Sequence, residues 1–186
     1  MGSQASSYNK GGDSINYKVI VMTYYEKLEG PAMEAWRKSL SAIKQRAMTE
    51  LKVGEEGIIV RQLRPDDIGA SSNSSTFNVS SAGWNTIINA AQIANNRFVS
   101  INGVLVAESG TSVVSMLRVT RMGQVVRYWN VQDINFLQSP IIYFDDPITV
   151  DQNTSLTIEA YGMATDSSWR CNFLGNVAER KGLLVV

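Results

Sequence analysis

The chain contains no histidine and only one cysteine, Cys171. Histidine is the usual general base near neutral pH and the commonest metal ligand. Its absence excludes Ser-His-Asp and Cys-His catalytic arrangements and zinc sites of the common His or Cys type. A lone cysteine excludes an intrachain disulfide framework. There is no glycine-rich phosphate loop, and no apolar run long enough to span a bilayer. Residues 1–7, MGSQASS, lack the apolar centre of a signal peptide. Charge is sparse as well: 18% of residues are charged, against about a quarter in ordinary domains. Lys plus Arg and Asp plus Glu each total 17, so the net charge is zero. That argues against strong non-specific binding to nucleic-acid phosphates. It is also poor for keeping a free monomer soluble and suits a protein that lives assembled. The expectation is no enzyme, with no catalytic residue, no cofactor and no metal.

What is present is a core. Hydrophobic residues make up 44% of 186, enough for one folded domain. Residues 1–14 are Ser-, Gly- and Asn-rich and read as a flexible arm. Ile15 to Tyr25 (INYKVIVMTYY) is β-branched and aromatic and reads as a strand. A helix is expected over about 31–52. Pro31 suits its first turn, and Gly54 supplies a stop. Met33, Trp36, Leu40, Ile43, Ala47 and Leu51 recur at spacings of three and four and form one apolar stripe. Arg37, Lys38, Lys44, Arg46 and Lys52 lie opposite. A solvated face explains them, and so does a basic face touching an anionic membrane or a genome; Glu34 and Glu50 dilute that charge.

The rest reads as strands. Gly57 to Arg64, Thr76 to Val79, Arg97 to Ser109, Val113 to Arg121, Val125 to Val131, Pro140 to Phe144, Ile148 to Val150, Ser155 to Met163 and Ser168 to Leu174 have β-branched or alternating patterns. Met122-Gly123 reads as a hairpin turn, and Asn102-Gly103 as a tight turn or bulge. The apolar end GLLVV is simplest as a last strand. Between residues 83 and 95, Trp84, Ile87, Ile88 and Ala91 have helical spacing and are read as a short helix. Short strands separated by turns indicate a mainly β, antiparallel sandwich.

Candidate chemistry is thin. Asp145-Asp146-Pro147 with Asp151, and Asp66-Asp67 after Pro65, read either as turns or as oxygen ligands for calcium, without a calcium-loop spacing. Glu108 and Glu159 sit in expected strands, where exposed faces explain them better than a glycosidase pair does. The aromatics Trp84, Tyr128, Trp129, Tyr143, Tyr161 and Trp169 read as core or interface before a sugar- or base-stacking platform. Cys171 has no base to activate it and reads as a small packed residue.

The stretches RFVSINGVLVAES, SPIIYFDDPITVDQNTSLTIEAYG and KGLLVV resemble those of single jelly-roll capsid proteins of icosahedral viruses, of the archaeal or thermophilic-bacterial kind. The resemblance covers about 130 residues, from Gly57 to Val186. It implies a jelly-roll domain over 15–186 that includes the helix, and a virion shell subunit assembled in the host cytoplasm. Its partners would be copies of itself and other shell proteins, with the arm or the basic helix face against membrane or genome. The candidate interface residues are then Met33, Trp36, Leu40, Trp84, Trp129 and Trp169, aromatics and Met being favoured in interface cores. The competing expectation is a ligand-binding β-sandwich of carbohydrate-binding or adhesin-like type.

Overall fold

A computed structural model describes residues 29–71, 74–107, 112–137 and 139–182. The arm at 1–14, the strand Ile15 to Tyr25, Glu108 and the terminal LLVV lie outside the described residues. Helix α1 spans Gly30–Leu51 with Pro31 in its first turn. It ends at Lys52, whose φ of 52° is left-handed, its N–H donating to the Met48 carbonyl. Lys52 therefore makes the stop assigned to Gly54.

Nine strands follow in the described residues: β1 (Ile58–Gln62), β2 (Thr76–Val79), β3 (Gly83–Ala90), β4 (Arg97–Val106), β5 (Val114–Arg121), β6 (Gln124–Asn130), β7 (Ile141–Val150), β8 (Leu156–Gly162) and β9 (Asp166–Arg180). A short helix, α2 (Val131–Asn135), links β6 to β7, capped by the Asn130 side chain. All pairings are antiparallel. One sheet runs β1-β9-β4-β7, with β2 also on β9; the other runs β3-β8-β5-β6. The expected mainly β, two-sheet antiparallel architecture with one long helix is what forms.

The inward faces of both sheets share one apolar core. It includes Val99, Ile101, Val104, Val106, Leu117, Val119, Ile158 and Trp169. Trp169 is fully buried, 6.4 Å from the Phe77 ring between centroids, and its indole N–H donates to Ser112. Helix α1 lies on the outer side of the first sheet, where Leu40, Ile43 and Ala47 pack on Ile58, Phe98 and Ala178. Residues 98–104 of β4 and 173–179 of β9 are consequently buried on every side. A strand covered on both faces loses its alternation and reads as a continuous run.

Between α1 and the sheet lies a buried polar layer. Asn102 is the extra residue of a bulge, the register of β4 shifting between Ile101 and Gly103 against both neighbours. Its amide accepts from Ser39 and Ser100 and donates to Asn176. The Asn176 oxygen also accepts from the Trp36 indole at 2.7 Å. Helix and sheet are thereby locked in one registration, since each donor would cost free energy if left unpaired away from water.

Three expectations are corrected. Residues 83–90 form a strand, not a helix: its register shifts between Thr86 and Ile88, so the inward residues Asn85, Ile88 and Ala90 step by three and then two. A bulge adds one residue to a period of two, and a spacing of three imitates a helix. Asp145-Asp146-Pro147 does not separate two strands. It is a wide bulge inside β7, between Tyr143, opposite Gly103, and Ile148, opposite Ile101, where Pro costs no ladder bond. Residues 175–180 continue β9 rather than leaving the sheet after Leu174.

Trp169→Ala is expected to lower unfolding free energy by about 3–5 kcal/mol, the cost of emptying a large buried aromatic site. Asn176→Ala strips the acceptor from Trp36 and Asn102 and should cost about 1–3 kcal/mol. Urea titration followed by tryptophan fluorescence measures both.

Candidate interaction surface

Half of the charged side chains among the described residues are held in ion pairs within the chain. At one end of the sandwich Arg61 on β1 donates to Asp67 at 2.6 Å from both terminal nitrogens. It also donates to Glu179 on β9 at 2.7 Å. Arg97 on β4 reaches the same two carboxylates at 3.2 and 3.0 Å. Asp67 and Glu179 are each about 1% exposed. Asp67 enters from the 3₁₀ turn Pro65–Ile68 and also accepts from the Arg64 backbone N–H. Its hydrogen bonds raise the Arg61 pKa above an already high value; burial opposes them and Glu179 adds to them. Two cations and two anions make a neutral plug that closes the core and offers no free charge to a ligand.

The remaining carboxylates diverge. Asp146 pairs with Arg127 at 3.2 Å, Asp151 with Arg46, and Glu159 with Arg118 through two hydrogen bonds of 2.8 and 2.7 Å. Among the described residues no group of three or more Cys, Asp or Glu is placed to hold a metal ion. On α1, Lys38, Lys44 and Arg46 of the basic face are paired, with Glu34, Glu55 and Asp151. No described helix is long and apolar enough to cross a membrane.

The candidate interface residues fall in different places. Leu40 is buried, and Met33 and Trp36 are half-buried; Leu40 and Trp36 face the chain's own first sheet. Trp129 lies inward, stacked on Phe144 at 4.9 Å between centroids and 9° between planes. Trp169 is in the core. Intrachain packing therefore occupies Leu40, Trp129 and Trp169, and none of the three forms an exposed surface. Of the four tryptophans, Trp84 alone lies on the outer face of the second sheet.

That face is the outer side of the second sheet. Trp84 on β3, Tyr161 on β8, Arg118 on β5 and Tyr128 on β6 point the same way, because Trp84 pairs with Tyr161 and Arg118 pairs with both Glu159 and Tyr128. The rings of Trp84 and Tyr161 meet edge-on at 5.3 Å, and those of Trp84 and Tyr128 lie 6.3 Å apart. The Arg118 guanidinium sits 4.2 Å over the Trp84 ring. Glu159 first, and Tyr128 after it, raise the Arg118 pKa through hydrogen bonds. Met116 and Tyr128 are exposed, Tyr128 by 55%. Around this face the hairpin tip adds exposed Met122, Val125 and Val126, and the segment after α2 adds Leu137 and Phe136, the latter 85% exposed. Alternation places Tyr161 in a strand, whereas the helical reading of 83–95 misplaces Trp84; that they share a face with Tyr128 depends on strand order.

Between the edges of β6 and β7 a small polar groove of about 210 Å³ is lined by Arg121, Val126, Arg127, Asp146 and Thr149. Arg121 donates to the Thr149 carbonyl at 2.6 Å and Arg127 lies over Phe144. The groove's charges are thus already engaged across the two sheets.

Asp67→Asn leaves two arginines short of a buried counter-charge and should cost about 3–5 kcal/mol. Arg118→Ala, on the solvated face, should cost about 1 kcal/mol or less. Thermal melts of the two variants side by side check the contrast. Compared with known protein families, with curated proteins and with solved structures, the chain matches none.

Proposed function

We propose that the chain is a self-assembling structural subunit of jelly-roll type, a shell protein of an icosahedral virion in its most specific form. The observation that carries the reading is a two-sheet body whose exposed large apolar groups, among the described residues, gather on one sheet face, one edge and one end. The pairing pattern supports the jelly-roll assignment. β1 and β2 pair with β9, β3 with β8, β4 with β7 and β5 with β6. First pairs with last and so on inward, as in a long antiparallel ribbon rolled into two sheets, and jelly rolls build viral shells as well as lectin and cupin domains.

Metal-binding cupin chemistry built on histidine is unavailable to a histidine-free chain. Shell building requires only a stiff brick with cohesive sides. Phe136, Leu137, Met122, Val125, Val126 and Tyr128 are residue types that gain by being covered. Copies of the same chain, with other shell proteins, are the partners this reading supplies. Contact with membrane or genome would fall to the arm at 1–14 or to what remains unpaired on the basic face of α1.

A glycan-binding module is the second reading, favoured by Trp84, Tyr161 and Tyr128 on one open sheet face. Against it, Arg118 covers the Trp84 ring and Tyr161 meets Trp84 edge-on, so the three rings do not form a flat stacking platform. Light scattering after size exclusion, with electron microscopy of the peak, separates the two. Shell building predicts species many times the 20.5 kDa chain mass, growing with concentration. A strict monomer at high concentration that is retarded by immobilised oligosaccharide would replace it with the glycan module.

A further inference from the structure

Among the described residues the two sheets have four edges, three of them interrupted in mid-strand or split into short strands. The β7 edge carries the Asp145-Asp146-Pro147 bulge. On the opposite side of that sheet β9 is flanked by two short strands, β1 and β2, rather than one continuous strand. β3 is broken by the bulge at Ile87. Charges, proline, bulges and short strands are the devices that keep sheet edges from pairing with other chains. β6 has almost none of them. It is the terminal strand of the second sheet and pairs, among the described residues, only with β5. Its seven residues, QVVRYWN, contain no Pro, Gly, Lys, Asp or Glu. Its one register shift lies near its start, between the partners of Val119 and Thr120, and from Arg127 to Asn130 the ladder is regular. Val125, Val126 and Tyr128 on it are exposed.

We propose that the open edge of β6 pairs antiparallel with β6 of a second copy, about a two-fold axis at Tyr128, joining two second sheets into one. The inference rests on the self-assembly reading and names the contact through which it begins.

Charge selects both the partner and the register. The only charge on the strand, Arg127, turns inward over Phe144 and is paired with Asp146, so an approaching β6 meets a neutral edge. A two-fold at Arg127 would still set guanidinium directly across from guanidinium, which is unfavourable on a sheet. Moving the axis by one residue to Tyr128 keeps the joint in the regular stretch that begins at Arg127 and sets Arg127 opposite Trp129 of the other copy, with no like charges across. It also places the two Tyr128 rings side by side on the outer face. The aromatic strip of Trp84, Arg118 and Tyr128 then runs unbroken over the joint. Such an interface is isologous and closes on itself, and the zero net charge of the chain opposes it with no long-range repulsion.

Two variants test this. Tyr128→Lys sets two ammonium groups across the axis from an already exposed position. It should weaken dimer formation by roughly tenfold or more in sedimentation equilibrium, with unchanged far-ultraviolet circular dichroism. Tyr128→Cys, under mild oxidation, should give a disulfide-linked dimer, since facing residues on paired strands bring their Cβ atoms within about 4.5–5.5 Å. Asn78→Cys, on an exposed position of β2, is the control and should not. Assembly that persists with native strength in Tyr128→Lys, or no cross-link from Tyr128→Cys while particles still form, overturns the β6 contact and leaves self-assembly standing. A wild-type chain that stays monomeric at all concentrations overturns both.

Discussion

The pairing of β4 with β9 is the constraint on which everything else is arranged. It joins residues 97–106 to 171–179, and each strand is covered by α1 on one side and the second sheet on the other. Backbone groups placed so far from water must be paired within the chain. This pair provides the ladder against which β1, β2 and β7 align. A close approach on each side of β4 keeps the ladder tight. Toward β9, a Cβ on Gly175 would drive into the Ser100 carbonyl, and toward β7 one on Gly103 would lie 2.6 Å from the Ile142 carbonyl. The Asn102 bulge between them turns an amide toward the helix and allows α1 to dock with its polar groups satisfied.

Burial in the centre has a counterpart in electrostatics at the periphery. The chain has few charges, and half of the described ones are held in pairs, among them the buried Arg61–Asp67–Glu179–Arg97 cluster, Arg118 with Glu159, Arg127 with Asp146, and Arg46 with Asp151. The buried cluster closes the end of the core, and the exposed Arg127–Asp146 pair ties the edge of one sheet to that of the other. What remains on the surface is close to neutral, with aromatic and aliphatic groups concentrated on the second sheet. Among the described residues no helix lies over its outer face, whereas the first sheet has α1.

Bulges decide how far the strands are legible. β8 has none, and Leu156, Ile158 and Ala160 alternate inward as their pattern demands. In β5 the register shifts between Val114 and Met116, so the inward residues run Val114, Leu117, Val119 and the apolar face changes side. In β3 the same device made a strand look helical. In β7 a bulge of several residues looked like a loop. α2 was invisible because its five residues carry only one turn, and its apolar members Val131 and Ile134 are equally at home in a strand. The aromatic residues were misleading for a different reason. Trp129 and Trp169 satisfy the composition of an interface as well as that of a core, and only the direction of each side chain from its strand separates the two.

The amino-acid order alone determined the class of element along most of the chain, the length and apolar stripe of α1, the hairpin at Met122-Gly123 and the exclusion of histidine chemistry. These are local properties, set by side-chain shape, period and residue type. Tertiary structure alone decided which strands lie side by side, where single residues are inserted, and hence that Trp84, Tyr161, Arg118 and Tyr128 share one uncovered face while β6 is left at an edge. Pairing between strands distant in sequence is settled by the joint packing of two sheets and a helix, and no local pattern carries that information.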